Sequence, residues 1–99
     1  MQPAAIEVVR FTVDPANTDK LLAEHPRFAA AVRENCEGLR SLKLLRVDER
    51  TWIDVAEWET RAHALKAAEA LPELPACRPL FALIDEGLSM DVGEIAAQD

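Results

Sequence analysis

Thr51-Trp52-Ile53-Asp54-Val55-Ala56-Glu57-Trp58 runs into Glu59-Thr60 and then into the alanine-rich stretch Arg61-Ala62-His63-Ala64. Aromatic and β-branched side chains suit a pleated, half-buried surface, so residues 51–58 read as a strand. Its two-residue period sets Trp52, Ala56 and Trp58 on one side and Ile53 and Val55 on the other. Thr60 is suited to cap a helix over residues 61–71, with Ala64, Leu65, Ala68 and Leu71 as its inner stripe. Upstream, residues 39–47 form a second strand joined to this one by Asp48-Glu49-Arg50, a hairpin.

The rest of the chain extends the same plan. Residues 5–13 (Ala-Ile-Glu-Val-Val-Arg-Phe-Thr-Val) predict a first strand, closed by Asp14 as a helix cap with Pro15 at the first helical position. The helix that follows carries Leu21, Leu22, Phe28, Ala29, Val32 and Cys36 at helical spacing. Pro26 interrupts it, which predicts a kink or two stacked segments. Gly38 suits a left-handed stop. After Pro72 and Pro75, a short helical stretch over 76–84 leads to a fourth strand over 87–95, with Leu88, Met90 and Val92 on one side. The whole of residues 1–99 reads as one α+β domain. Its βαββαβ order predicts the ferredoxin-like arrangement, a four-stranded antiparallel sheet with both helices on one face.

Both faces of the predicted sheet carry large apolar groups. In the first strand Ile6 and Val8 oppose Val9, Phe11 and Val13; in the second, Leu42 and Leu44 oppose Leu39, Leu45 and Val47; in the third, the tryptophans oppose Ile53 and Val55. Two helices cover one face only. A second copy packed sheet to sheet is the simplest cover for the other, so a homodimer is expected.

Composition narrows the function classes. The net charge is −7 and no Lys or Arg follows Arg78, which argues against a nucleic-acid partner. No apolar run could span a membrane, and the first residues lack the features of a secretory signal, so a cytoplasmic protein is expected. Cys36 and Cys77 form no C-x-x-C pair and read as small buried hydrophobes. The two histidines and the scattered carboxylates have no metal-ligand spacing, so no metal is expected. Ser41 and Ser89 lack a hydrolase pattern.

Three stretches carry a family resemblance: Val9-Arg10-Phe11-Thr12-Val13-Asp14-Pro15, Glu37-Gly38-Leu39, and Trp52 through Thr60, where a tryptophan ends the third strand ahead of a helix cap. Together they make the chain resemble the antibiotic biosynthesis monooxygenase family, dimeric α+β barrel proteins. The resemblance implies a cofactor-independent oxygenase, in which a pocket between sheet and helices binds a small aromatic or polyketide-like compound, helps remove a proton and lets the carbanion meet O2. It also implies Trp58 as a cavity wall. In the family's haem-degrading branch an Asn, a Trp and a His act together. Here Val9 stands where the Asn belongs and Ala68 near the His, so haem is not expected and no cofactor is. The chain has no tyrosine, so a tyrosine-directed step of some cofactor-free members does not carry over.

Among individual residues, His25 falls within the apolar stripe of the first helix. It is either a hydrogen-bonded group at a helix break or a general base. Arg10 shares a face with Ile6 and Val8, and would pair with Asp54 or Glu57 or stabilise a substrate anion. Phe28, Phe81 and Phe11 are candidate walls beside Trp58, while Trp52 and Trp58 could equally be core or dimer packing. His63 is expected in solvent. The alternative function is a non-catalytic dimeric module that binds a small molecule or a partner on the same scaffold.

Overall fold

The computed structural model describes residues 2–99. Four strands, β1 (Ala5–Val13), β2 (Leu39–Arg46), β3 (Thr51–Trp58) and β4 (Ile84–Glu94), alternate with α1 (Thr18–Asn35), α2 (Arg61–Ala70) and the short α3 (Arg78–Phe81). The sheet order is β2-β3-β1-β4 and every neighbouring pair is antiparallel. This is the ferredoxin-like α+β arrangement that the order of elements predicts.

Local chemistry explains the element ends. The Asp14 carboxylate accepts from the Ala16 N–H at 3.0 Å, and a 3-10 turn over Pro15–Asn17 feeds α1. In the hairpin turn, the Asp48 carboxylate accepts from the N–H groups of Arg50 and Thr51 at 2.9 and 2.7 Å. Those two bonds hold its pKa below the usual value. Thr60 Oγ1 accepts from the His63 N–H and so caps α2.

Pro26 does not break the first helix. α1 is continuous from Thr18 to Asn35. Pro26 and Leu22 are both exposed, so the Leu22 carbonyl that loses its donor to the proline lies on the solvent side, where it is open to water. The buried stripe of α1 is Leu21, Phe28, Ala31 and Val32, and Leu22 is left half exposed. In α2 the buried residues are Ala64 and Ala67, and Leu65 is exposed. Each of the two leucines follows a stripe residue directly, which places it about 100° round the helix from the core.

The sheet's inner face holds Glu7, Val9, Phe11 and Val13 from β1 against Asp54, Ala56 and Trp58 from β3. Leu39 joins this face, contrary to simple alternation. A register shift between Leu39 and Ser41 inserts one extra residue and brings Leu39 opposite Trp58. A second shift in the β1–β4 pairing takes Leu88 out of the row that Met90 and Val92 form opposite Val9 and Glu7. β4 begins at Ile84, three residues before the predicted start.

α1 packs on β2 and α3, and α2 on β1, β3 and β4. The outer face keeps Ile6, Val8, Ile53 and Val55 half-buried and Leu45 exposed, and no described helix packs over it. No described helix is long and apolar enough to cross a membrane.

Gly38 shows how tightly the α1–β2 corner is built. Its φ is +88°, and a Cβ there would lie 2.6 Å from His63 Cγ. Replacing Gly38 by Ala should therefore cost ~1–3 kcal/mol from the left-handed backbone, plus the clash. In urea titrations, Gly38→Ala is expected to lower the midpoint, and adding His63→Ala, which removes the ring but leaves a Cβ 3.0 Å away, is expected to recover part of the steric share and none of the backbone cost.

Candidate functional site

Between the inner face of the sheet and the helices lies a mostly apolar cavity of about 210 Å³. Phe28 of α1, Trp58 of β3 and Phe81 of α3 are three of its walls, with Leu71 and Ile84 closing other sides. Phe28 and Phe81 meet edge to face, their ring centres 5.6 Å apart. Met90, half exposed on β4, stands at its rim. A second hollow of about 310 Å³ beside Cys36, His63 and Lys66 is more polar. It lies apart from these aromatic groups.

Two carboxyl groups project into the apolar cavity. Glu7 and Asp54 line it, and both residues are only 8% exposed. A buried carboxyl without a partner costs several kcal/mol on the order of its desolvation, and each has one. The Trp58 indole N–H donates to Glu7 Oε1 at 3.2 Å. His25 Nε2 shares a hydrogen bond with Asp54 Oδ1 at 2.7 Å, and its ring lies 5.9 Å from that of Phe28.

Burial pushes the Glu7 carboxyl above its ordinary value of 4.5; the Trp58 hydrogen bond pulls it back and the charge of Asp54 raises it further. Burial also raises the Cys36 and Cys77 thiols, which keeps them in their less reactive form. Among the described residues no group of three or more His, Cys, Asp or Glu is placed to hold a metal ion.

Of the residues singled out in the sequence, Trp58, Phe28, Phe81 and Phe11 come together around this cavity. His25 points at the sheet but stands behind Asp54, which is the member of the pair that reaches the cavity. Arg10 is not brought to it. Arg10 pairs with Ile53 in register and is exposed on the outer face, whereas Asp54 is on the inner one. Nor is His63 free in solvent: it is half-buried over Gly38, with Nδ1 2.7 Å from Thr60 Oγ1.

Against this geometry, residues 4–79 match the profile described as antibiotic biosynthesis monooxygenase. The chain belongs to that family. Among solved structures, SnoaB, a cofactor-independent oxygenase from Streptomyces nogalater, is 25% identical, with 98% of this chain and 95% of that one covered and a TM-score of 0.64. A Bordetella bronchiseptica protein named for the same family is 16% identical, covers 94% and 97%, and has a TM-score of 0.77. A conserved protein from Methanosarcina mazei Go1, 10% identical, covers 94% and 93% with a TM-score of 0.72. Among curated proteins none is significantly similar in sequence.

Glu7 makes stability depend on pH in a defined direction. Below about 4.5 it is protonated both folded and unfolded; above that the unfolded chain ionises first, so folding weakens as pH rises through the raised folded value. Glu7→Gln, which cannot ionise, is expected to melt at nearly the wild-type temperature at pH 4. Above that pH it should melt higher than wild type, by a gap that widens until the raised folded value is passed and is constant thereafter, as followed by circular dichroism.

Proposed function

We propose that this member of the family is a cofactor-independent monooxygenase that acts, as a cytoplasmic homodimer, on a small aromatic or polyketide-like compound. The observation that carries the reading is Asp54 in the wall of a mostly apolar cavity, with His25 hydrogen-bonded to it from behind. Such a cavity holds a ring system by burial of its faces. Asp54 meets the C–H or O–H that is to be ionised, and the proton taken is held between carboxyl and imidazole. His25 is thus a base that acts through Asp54.

Once the substrate is an electron-rich carbanion, it can reduce O2 itself. The carbanion carbon bonds to one oxygen, the distal oxygen takes up a proton, and loss of water leaves a new carbonyl. Substrate carbon is oxidised and O2 reduced, with no electron carrier required. Phe28, Trp58 and Phe81 keep bulk water from the anion. Arg10, on the outer face, has no part within its own subunit in this scheme; it would lie at the contact between copies.

The apolar outer face supports the homodimer. Ile6, Val8, Ile53 and Val55 form a contiguous patch across the β1–β3 pair, and Leu45 of β2 extends it. A second sheet packed on it removes this surface from water.

Oxygen uptake with anthrone or a quinol tests the reaction. His25→Gln keeps a donor for Asp54 but has no titratable nitrogen; it and Asp54→Asn are expected to lower the rate about 100-fold or more while the fold, checked by circular dichroism, persists. Full-rate uptake by His25→Gln would remove the pair from the mechanism. No uptake with any such compound, in a protein that still binds them, would make it a binding module.

A further inference from the structure

The cavity that would generate an anion is poorly equipped to tolerate one. Neither Lys nor Arg is among the residues lining it, and two of those residues are acidic. An enolate or phenolate oxygen formed there needs a hydrogen-bond donor, and the Trp58 indole N–H, the donor nearest to hand, is already committed to Glu7. Something else must supply the hydrogen.

Glu7 has the position for it. Its Oε1 is anchored by Trp58 at 3.2 Å, while Oε2 forms no hydrogen bond to the described chain and is not among the buried polar atoms sealed without a partner. The titratable groups facing Glu7 are Asp54 from β3, with His25 of α1 behind it, and the Cys36 thiol beyond the end of α1. β4 presents Val92 opposite it, and α2 contributes Ala68 to the same cavity. Among the described residues no Lys or Arg lines this cavity to stabilise an ionised Glu7.

We propose that Glu7 is the cavity's hydrogen-bond donor, presenting Oε2–H to a carbonyl, enolate or phenolate oxygen of the ligand while the Trp58 indole holds its Oε1. The ligand class follows: a compact ring system bearing an acceptor oxygen on the edge that faces β1, with a plain hydrocarbon of the same shape a poorer fit. Burial raises the Glu7 pKa, which favours the protonated form, the form in which carboxylic acids donate in apolar sites. Glu7 and Asp54 then divide the work: one donates to the oxygen, the other receives the proton.

The proposal rests on the cavity being the ligand site, but not on oxygen chemistry, so its test is run under nitrogen. Calorimetric affinities for 1-tetralone and for tetralin, which lacks the carbonyl, are compared in wild type, Glu7→Gln and Glu7→Leu. Wild type and Glu7→Gln, whose amide also donates, are expected to prefer the ketone by up to about tenfold, and Glu7→Leu to lose that preference. An undiminished preference in Glu7→Leu overturns the assignment. Infrared difference spectra serve if Glu7→Leu does not fold. Wild type minus Glu7→Gln at neutral pH should show a protonated carboxyl band that shifts when 1-tetralone binds; a carboxylate band, or an acid band indifferent to the ketone, overturns it. Failure of oxygen uptake in a protein that passes these measurements would sink the oxygenase reading alone.

Discussion

Two carboxyl groups on the apolar side of a sheet impose a constraint that organises the rest of the molecule. Glu7 and Asp54 occupy inward positions on adjacent strands, where an unpaired acid would cost more than a typical surface substitution ever does. Each is satisfied from a different direction. Trp58 reaches Glu7 across the β1–β3 pair, while His25 reaches Asp54 from the helix above. The second bond ties α1 to the sheet beside Phe28 and sets one wall of the cavity. The two polar pairs are what set this cavity apart from the apolar core around it.

The two faces of the sheet divide the remaining tasks. The inner face, with Phe11, Val13, Trp52 and Trp58 all nearly inaccessible, supplies the core. Arg46 lies over the Trp52 ring at 5.0 Å, and the Trp52 indole N–H is the one sealed side-chain polar atom without a partner among the described residues. The outer face is apolar in its centre and carries Arg10 and Lys43 as exposed groups. The helix-covered face thus holds the cavity, and the open face an apolar patch.

Much of this was legible in the residues. Thr60 as a cap and Gly38 as a left-handed stop follow from single-residue chemistry, and the structure has both in place; Trp58 as a cavity wall is what the family resemblance implies, and its ring lines the cavity. Alternation placed Arg10 with Ile6 and Val8, which is also where it lies. What escaped were features decided by tertiary context. Pro26 sits on the wet side of α1, so the helix absorbs it; the extra residue after Leu39 reverses the face on which that leucine falls. His63 was expected in water because nothing local reveals that Gly38 packs against it. The more instructive omission is Glu7 and Asp54. The same two-residue period that put Val9, Phe11, Trp52 and Trp58 inward puts these acids there too, and a charged group in an inward register was the available signal.

The bond between His25 and Asp54 can be measured without a substrate. Stabilities of wild type, His25→Ala, Asp54→Ala and the double variant, taken from urea unfolding, close a thermodynamic cycle. A coupling of about 1.5–3 kcal/mol, as for hydrogen bonds to charged groups, is predicted, with the double variant less damaged than the sum of the singles. Additivity to within about 0.5 kcal/mol would mean that the two side chains do not hold each other, and the acid–base site built on them would fall with that result.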